Sequence, residues 1–196
     1  MRRIAACLVL LVVTGCALLE PVPQKPPENA DKSSYFIGLT PQSLGRNLSL
    51  SQLITGQYDG KTYRVRYEVE IIGDRLTIVG LSPLGITLFT LIQQGNTVKV
   101  DTRVKELAGF DPRYTLFDIY LTYWPIDTLR SALKPNGMTL EEFAPDRSRK
   151  LRDAAGKTVA TVKFPSGTDS RAVTVIEHFD IPYCLRITPI GAPGGA

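Results

Sequence analysis

Tyr63-Arg64-Val65-Arg66-Tyr67-Glu68-Val69-Glu70-Ile71 places an apolar side chain at every odd position and a charged one at every even position. Successive side chains of a strand point to opposite faces, so this period of two specifies a half-buried β-strand, apolar on one side and wet on the other. A helix would scatter the same residues around its circumference. Upstream, Leu48, Leu50, Ile54 and Tyr58 share one parity, and Asp59-Gly60 is a tight hairpin signal. Downstream, Gly73-Asp74 leads into a strand from Arg75 to Leu81, and Ser82-Pro83-Leu84-Gly85 turns the chain into Ile86 to Gln93. Gln94-Gly95-Asn96 then leads into Thr97 to Asp101. Turns this short join antiparallel neighbours, whereas parallel pairing needs crossovers of about a dozen residues. Five consecutive strands in an antiparallel meander are therefore expected.

The period changes at Asp111-Pro112, where Asp suits a helix N-cap and Pro the first turn. Tyr114, Phe117, Leu121 and Trp124 fall at helical spacing, and Leu116, Ile119, Tyr120 and Tyr123 fill a second stripe. A helix apolar on so much of its surface should be buried or should cover an apolar cavity. Pro125 ends it and begins a shorter helix with Ile126, Leu129 and Leu133 inward, stopped by Lys134-Pro135-Asn136-Gly137. Strand signals resume at Arg147 to Asp153, Thr158 to Phe164, Ala172 to Phe179 and Tyr183 to Ile190. The fold class expected is mainly β with helices, α+β, in one domain.

The N-terminus carries a different message. Met1-Arg2-Arg3 is a basic start and Ile4 to Val13 an uninterrupted apolar run, too short for a bilayer-spanning helix, which needs about 20 residues. Val13-Thr14-Gly15-Cys16 resembles the bacterial lipobox, so 1–15 is expected to be a signal peptide and Cys16 the lipidated first residue of the mature chain. A Pro-rich polar stretch follows, and 16–34 is expected to be an anchor on an extended tether that packs no core. The folded domain is expected over 35–190, with 191–196 a frayed tail. Without Arg2 and Arg3 the surplus of four positive charges falls to two, spread along the chain, which excludes the concentrated basic face of a nucleic-acid binder. Cys7 leaves with the leader and Cys16 carries lipid, so no second cysteine is left for an intramolecular disulfide, and Cys184 reads as a small buried hydrophobe.

A search for chemistry is negative. One histidine among 196 residues excludes multi-histidine metal sites, and no nucleophile-elbow, phosphate-loop or dinucleotide motif is present. His178 follows Glu177 on a strand, so the two point to opposite faces, and His178 reads as a polar strand residue. Glu141 and Glu142 read as a solvated pair in a short connecting segment. The cluster Arg147, Arg149, Lys150, Arg152 and Lys157 reads as a wet strand face, or as a patch attracted to anionic head groups. The chain is expected to be no enzyme and to hold no cofactor and no metal.

The order of these elements resembles the outer-membrane lipoprotein receptor LolB. The resemblance rests on the lipobox and tether, on Ser82-Pro83-Leu84-Gly85 between two strands of a meander, and on Trp124-Pro125-Ile126-Asp127-Thr128-Leu129-Arg130 before the final strands. It is similar also to predicted bacterial outer-membrane lipoproteins related to LolB, some encoded in aryl-polyene pigment gene clusters. The resemblance implies an antiparallel incomplete β-barrel of LolA/LolB type, covered by short helices around an apolar cavity for acyl chains. It implies an outer-membrane, periplasm-facing lipoprotein that binds lipid or lipoprotein cargo, acts as a monomer and partners a LolA-like periplasmic carrier. Leu84 corresponds to the family's protruding leucine, which helps insert cargo into the membrane. Acyl chains are then expected against Tyr63, Val65, Tyr67 and Val69, continued by Leu76, Ile78, Phe89 and Leu91, with Leu116, Tyr120 and Trp124 on the covering helix. The alternation alone leaves cavity and filled core both open, and with a filled core the chain would be a non-catalytic lipoprotein scaffolding an envelope or pigment-export complex.

Overall fold

The computed structural model describes residues 37–58, 60–103, 111–166, 173–181 and 183–191. The leader, Cys16, the tether and the tail beyond Gly191 lie outside the described residues. Ten strands form one antiparallel sheet: β1 (Leu48–Tyr58), β2 (Lys61–Ile72), β3 (Arg75–Leu81), β4 (Thr87–Gln94), β5 (Thr97–Thr102), β6 (Thr139–Phe143), β7 (Ser148–Arg152), β8 (Thr158–Lys163), β9 (Thr174–His178) and β10 (Tyr183–Pro189). Their order is β5-β4-β3-β2-β1-β10-β9-β8-β7-β6. Two five-stranded meanders thus meet where the first strand pairs with the last, Gln52 opposite Pro189 and Tyr58 opposite Tyr183. Helices α1 (Arg113–Tyr123) and α2 (Ile126–Leu133) connect the two outermost strands. The architecture is an open antiparallel sheet with two short helices, as expected for the fold class.

Alternation decides which face is covered. On β2 Tyr67, Val69 and Ile71 are buried, and the register carries that parity to Leu76 and Ile78 of β3 and to Phe89 and Leu91 of β4. The intervening charges hold the outer face, where Glu68 takes Arg66 at 2.7 Å and the Ser51 hydroxyl at 3.0 Å. Gly80 is an inner-face position without a side chain. A Cβ there would collide with the Phe89 ring, which lies across the glycine and meets Tyr67 edge-on at 5.7 Å between centroids. A strap at residues 37–47 buries Ile37, Leu39 and Leu44 around a single 3-10 turn, Pro41–Leu44.

Two sequence expectations are corrected here. Glu141 and Glu142 lie on β6, not in a connecting segment, opposite Lys150 and Arg149 of β7: Glu142 takes Arg149 at 3.0 Å and Glu141 takes Arg152 at 3.6 Å. The two acidic residues hid the strand because an edge strand carries polar side chains on both faces. Cys184 is half-buried on the outer face of β10, opposite Glu177, not a core residue.

Candidate functional site

Helix α1 begins where Asp111 and Pro112 placed it. Asp111 Oδ1 accepts the Arg113 N–H at 3.0 Å, and its carboxylate also holds the Arg113 guanidinium. Every residue from Tyr114 to Leu121 is buried, so the helix lies within the molecule, against the inner face of the sheet. Trp124 packs edge-on against Tyr120 at 4.7 Å, and its indole N–H donates to Ser43 Oγ of the strap at 2.8 Å. The structure therefore brings Tyr67, Val69, Leu76, Ile78, Phe89, Leu91, Leu116, Tyr120 and Trp124 into one buried cluster, with Val65 half-buried at its margin. Tyr63 stands apart at 37% exposure, on the inner face near the β1–β2 turn.

The contact between α1 and the sheet is apolar with polar inserts, a feature the sequence reading missed. Asp118 projects from the middle of the helix to the His178 Nε2 of β9 at 2.8 Å, and the Tyr183 hydroxyl of β10 donates to both its oxygens at 3.2 and 3.1 Å. The His178 and Tyr183 rings stack at 4.2 Å. His178 is thus a strand residue as expected, but a buried one facing the helix and not a wet one. The Tyr120 hydroxyl donates to Gln93 Oε1 at 2.5 Å, while Gln93 Nε2 donates to the carbonyls of Leu39 and Gly95. The Tyr67 hydroxyl meets Thr115 Oγ1 at 3.2 Å, and the Tyr123 hydroxyl donates to Gln52 Oε1 at 2.8 Å. Burial pushes the ionisation of Tyr67 and Tyr120 far above the ordinary phenol range, offset in part by their hydrogen bonds, and raises Tyr123 to about 12.

Arg149 closes the other end of α1. Its Nη1 donates to the Leu121 and Trp124 carbonyls at 2.7 and 3.1 Å, satisfying groups that a helix C-terminus leaves open, and its charge complements the negative end of the helix. The remaining basic cluster is also partly engaged: Lys150 lies over the Phe143 ring at 5.0 Å and Arg152 Nη1 donates to the Gly156 carbonyl at 3.1 Å.

Leu84 lies outside the cluster, at the tip of the β3–β4 turn and 88% exposed. The turn is complete without it. Gly85 supplies the left-handed conformation at φ 79°, its N–H donates to the Ser82 carbonyl at 2.9 Å, and Ser82 Oγ accepts the N–H groups of Leu84 and Ile86. By register, the β1–β2 turn, the β9–β10 turn with exposed Phe179, and the start of α1 lie at this same end of the sheet. Among the described residues no cluster of His, Cys, Asp or Glu side chains is placed to hold a metal ion, and no helix is long and apolar enough to cross a membrane.

Comparison with known proteins gives a family and two structural likenesses. A solved LolA-superfamily protein from Nitrosomonas europaea aligns at 7% identity with a TM-score of 0.43, over 81% of this chain and 89% of its own. A domain from Vibrio parahaemolyticus, whose description assigns it to outer-membrane lipoprotein sorting, aligns at 8% identity with a TM-score of 0.39, over 74% of this chain and 84% of its own. No curated protein matches the sequence. The sequence profile that does match spans residues 49–191, all ten strands and both helices, and by it the chain belongs to the family described as "Protein of unknown function (DUF3261)".

Proposed function

We propose that this protein is an outer-membrane-anchored, periplasm-facing lipoprotein that takes the acyl chains of a lipid or lipidated cargo onto the inner face of its sheet and delivers them to the membrane. The observation that carries the reading is α1. An amphipathic helix would complete the fold with one apolar stripe, yet this one is buried from Tyr114 to Leu121 and joined to the sheet through hydrogen bonds at Thr115, Asp118, Tyr120 and Tyr123. Such a helix occupies the space that an acyl chain would fill, and its polar contacts give it a defined seat to return to. Tyr67, Val69, Leu76, Ile78, Phe89 and Leu91 offer the apolar surface beneath it, Val65 and Tyr63 extend that surface toward the exposed end, and Leu116, Tyr120 and Trp124 form the cover. Leu84 is the membrane contact at that end, and Cys16 with its tether the anchor. The LolB family is the functional parallel, with a LolA-like carrier as upstream partner, the chain acting as a monomer and without nucleic acid. The role is read as non-catalytic, with the His178 side chain, the one imidazole of the chain, held in the interior against Asp118 and Tyr183.

A second reading has its own support, since Leu76, Ile78 and Leu91 have no solvent-accessible surface at all. A permanently filled core would make the protein a scaffold of an envelope or pigment-export complex. Native mass spectrometry of the full chain, purified without detergent and then offered lipid vesicles, separates the two. Acyl-lipid adducts are expected. A spectrum of the bare chain before and after vesicle exposure refutes acyl binding and leaves the scaffold.

A further inference from the structure

Gln52 lies in the middle of β1 on the inner face, 2% exposed and directly opposite Tyr67 of β2. The parity of the strand asks for an apolar residue there, as at Leu50 and Ile54 on either side. Tyr67 is flanked in the same way by Val65 and Val69. The Gln52 amide oxygen accepts the Tyr123 hydroxyl, but its amide nitrogen is buried with no hydrogen-bond partner among the described residues. A buried donor without an acceptor is destabilising, and methionine would fill the same space without that cost. Tyr123, which satisfies the Gln52 oxygen, and Thr115, which meets the Tyr67 hydroxyl, both belong to α1. With α1 displaced, Gln52 and Tyr67 are two neighbouring neutral donors in an aliphatic surface, their Cβ atoms roughly 5 Å apart as in any directly opposed antiparallel pair.

We propose that Gln52 and Tyr67 bind the carbonyl oxygen of an ester- or amide-linked acyl chain, so that the ligand is an acylated lipid and not a hydrocarbon or a free fatty acid. The assignment rests on the acyl-binding reading above. Charge selects the ligand. On the inner face Arg149 lies on β7, four strands from β1, and His178 at the end of β9, two strands from β1, so neither stands beside Gln52 whether or not α1 is in place. A carboxylate seated between Gln52 and Tyr67 would lose its water without gaining a countercharge, while a neutral carbonyl accepts from two neutral donors without that penalty. The alkyl tail then runs along the strands over Leu50 and Val69, and the linked alcohol or amine part extends past Ile54 and Val65 toward the exposed end.

The test compares diacyl phosphatidylglycerol with its dialkyl ether analogue of equal chain length, titrated into the lipid-stripped full chain. Trp124, the one tryptophan of the chain, reports binding by its emission. The ester lipid is expected to bind about five- to tenfold more tightly, the worth of one net hydrogen bond. Gln52→Met and Tyr67→Phe are each expected to abolish the preference for the ester over the ether lipid, bringing the two affinities level. Equal binding of both lipids by the parent overturns the carbonyl assignment and leaves acyl binding standing, and so does an ester preference retained in both variants. Binding of neither lipid overturns acyl binding and this assignment with it. Where Gln52→Met fails to fold, the parent comparison and Tyr67→Phe decide the matter.

Discussion

Leu84→Glu separates membrane contact from folding. The leucine is 88% exposed, and the turn that carries it is closed by Ser82 and Gly85 through backbone and hydroxyl contacts that no side chain at position 84 enters. Folding stability should therefore change by no more than about 0.5 kcal/mol, the usual range for a surface substitution away from special features. Seating a whole leucine side chain in an apolar medium is worth about 1.5–3 kcal/mol. With nearly all of that surface still available, the native turn stands to gain about 1–3 kcal/mol at a bilayer, a factor of roughly 5 to 150 in partitioning. Leu84→Ala forfeits most of this gain, and Leu84→Glu adds the penalty of carrying a carboxylate toward the acyl region. The assay is transfer of a fluorescent acyl lipid from the loaded protein to liposomes, with thermal melting and loading measured on the same preparations. Both variants should fold and load as the parent does, and transfer should fall in the order Leu, Ala, Glu. Undiminished transfer by folded, loaded Leu84→Glu refutes the membrane role. A melting temperature lowered by more than a few degrees refutes the premise that the leucine is free of its own hairpin.

Two further outcomes probe the seat of α1. Asp118→Ala removes the acceptor that joins α1 to His178 and Tyr183 and should cost about 1–3 kcal/mol, as losing one partner of buried hydrogen bonds does, with Asp118→Asn milder; denaturant unfolding showing no loss for alanine would refute the structural role. Alkaline titration tests the buried phenols: Tyr67, Tyr120 and Tyr123 ionise more easily unfolded, at pH 10.0, than folded, so their contribution to stability is whole below pH 10 and is lost as pH climbs through about 12 and beyond. Tyrosinate absorbance should accordingly lag for these residues until circular dichroism reports unfolding, and complete ionisation near pH 10 in a still-folded chain would contradict their burial.

The first meander was legible because its outer face is wet: Arg64, Arg66, Glu68 and Glu70 mark the alternation by contrast with the valines and tyrosines between them. Strand β6 lacked that contrast, since of Leu140, Glu141, Glu142 and Phe143 the leucine alone is buried. The pairing of β1 with β10 left no local trace at all, because antiparallel register between distant segments depends on the completed sheet. Burial of α1 was readable from its two apolar stripes, but the partner of Asp118 was not, as His178 lies on a strand 60 residues away in the chain. The available signal was the aspartate itself, a charge at the centre of a helix with no polar face, and likewise a glutamine at positions 52 and 93 where strand parity calls for an aliphatic side chain.

The seam between β1 and β10 also sets a timetable. A chain emerging from synthesis or from a translocation pore presents β1 first and β10 last, yet β1 reaches its second neighbour only when residues 183–189 arrive. Until then the first meander has an exposed inner edge and the sheet's middle is missing. Long-range pairing of this kind is slow to form because the connecting loop must be closed before any contact rewards it. The sheet thus cannot be completed until β10 has emerged, and the two meanders stay unjoined until then. For the same reason, a message truncated between codons 179 and 183 yields two half-sheets with bare edges, a product marked for aggregation or proteolysis and not a smaller working protein.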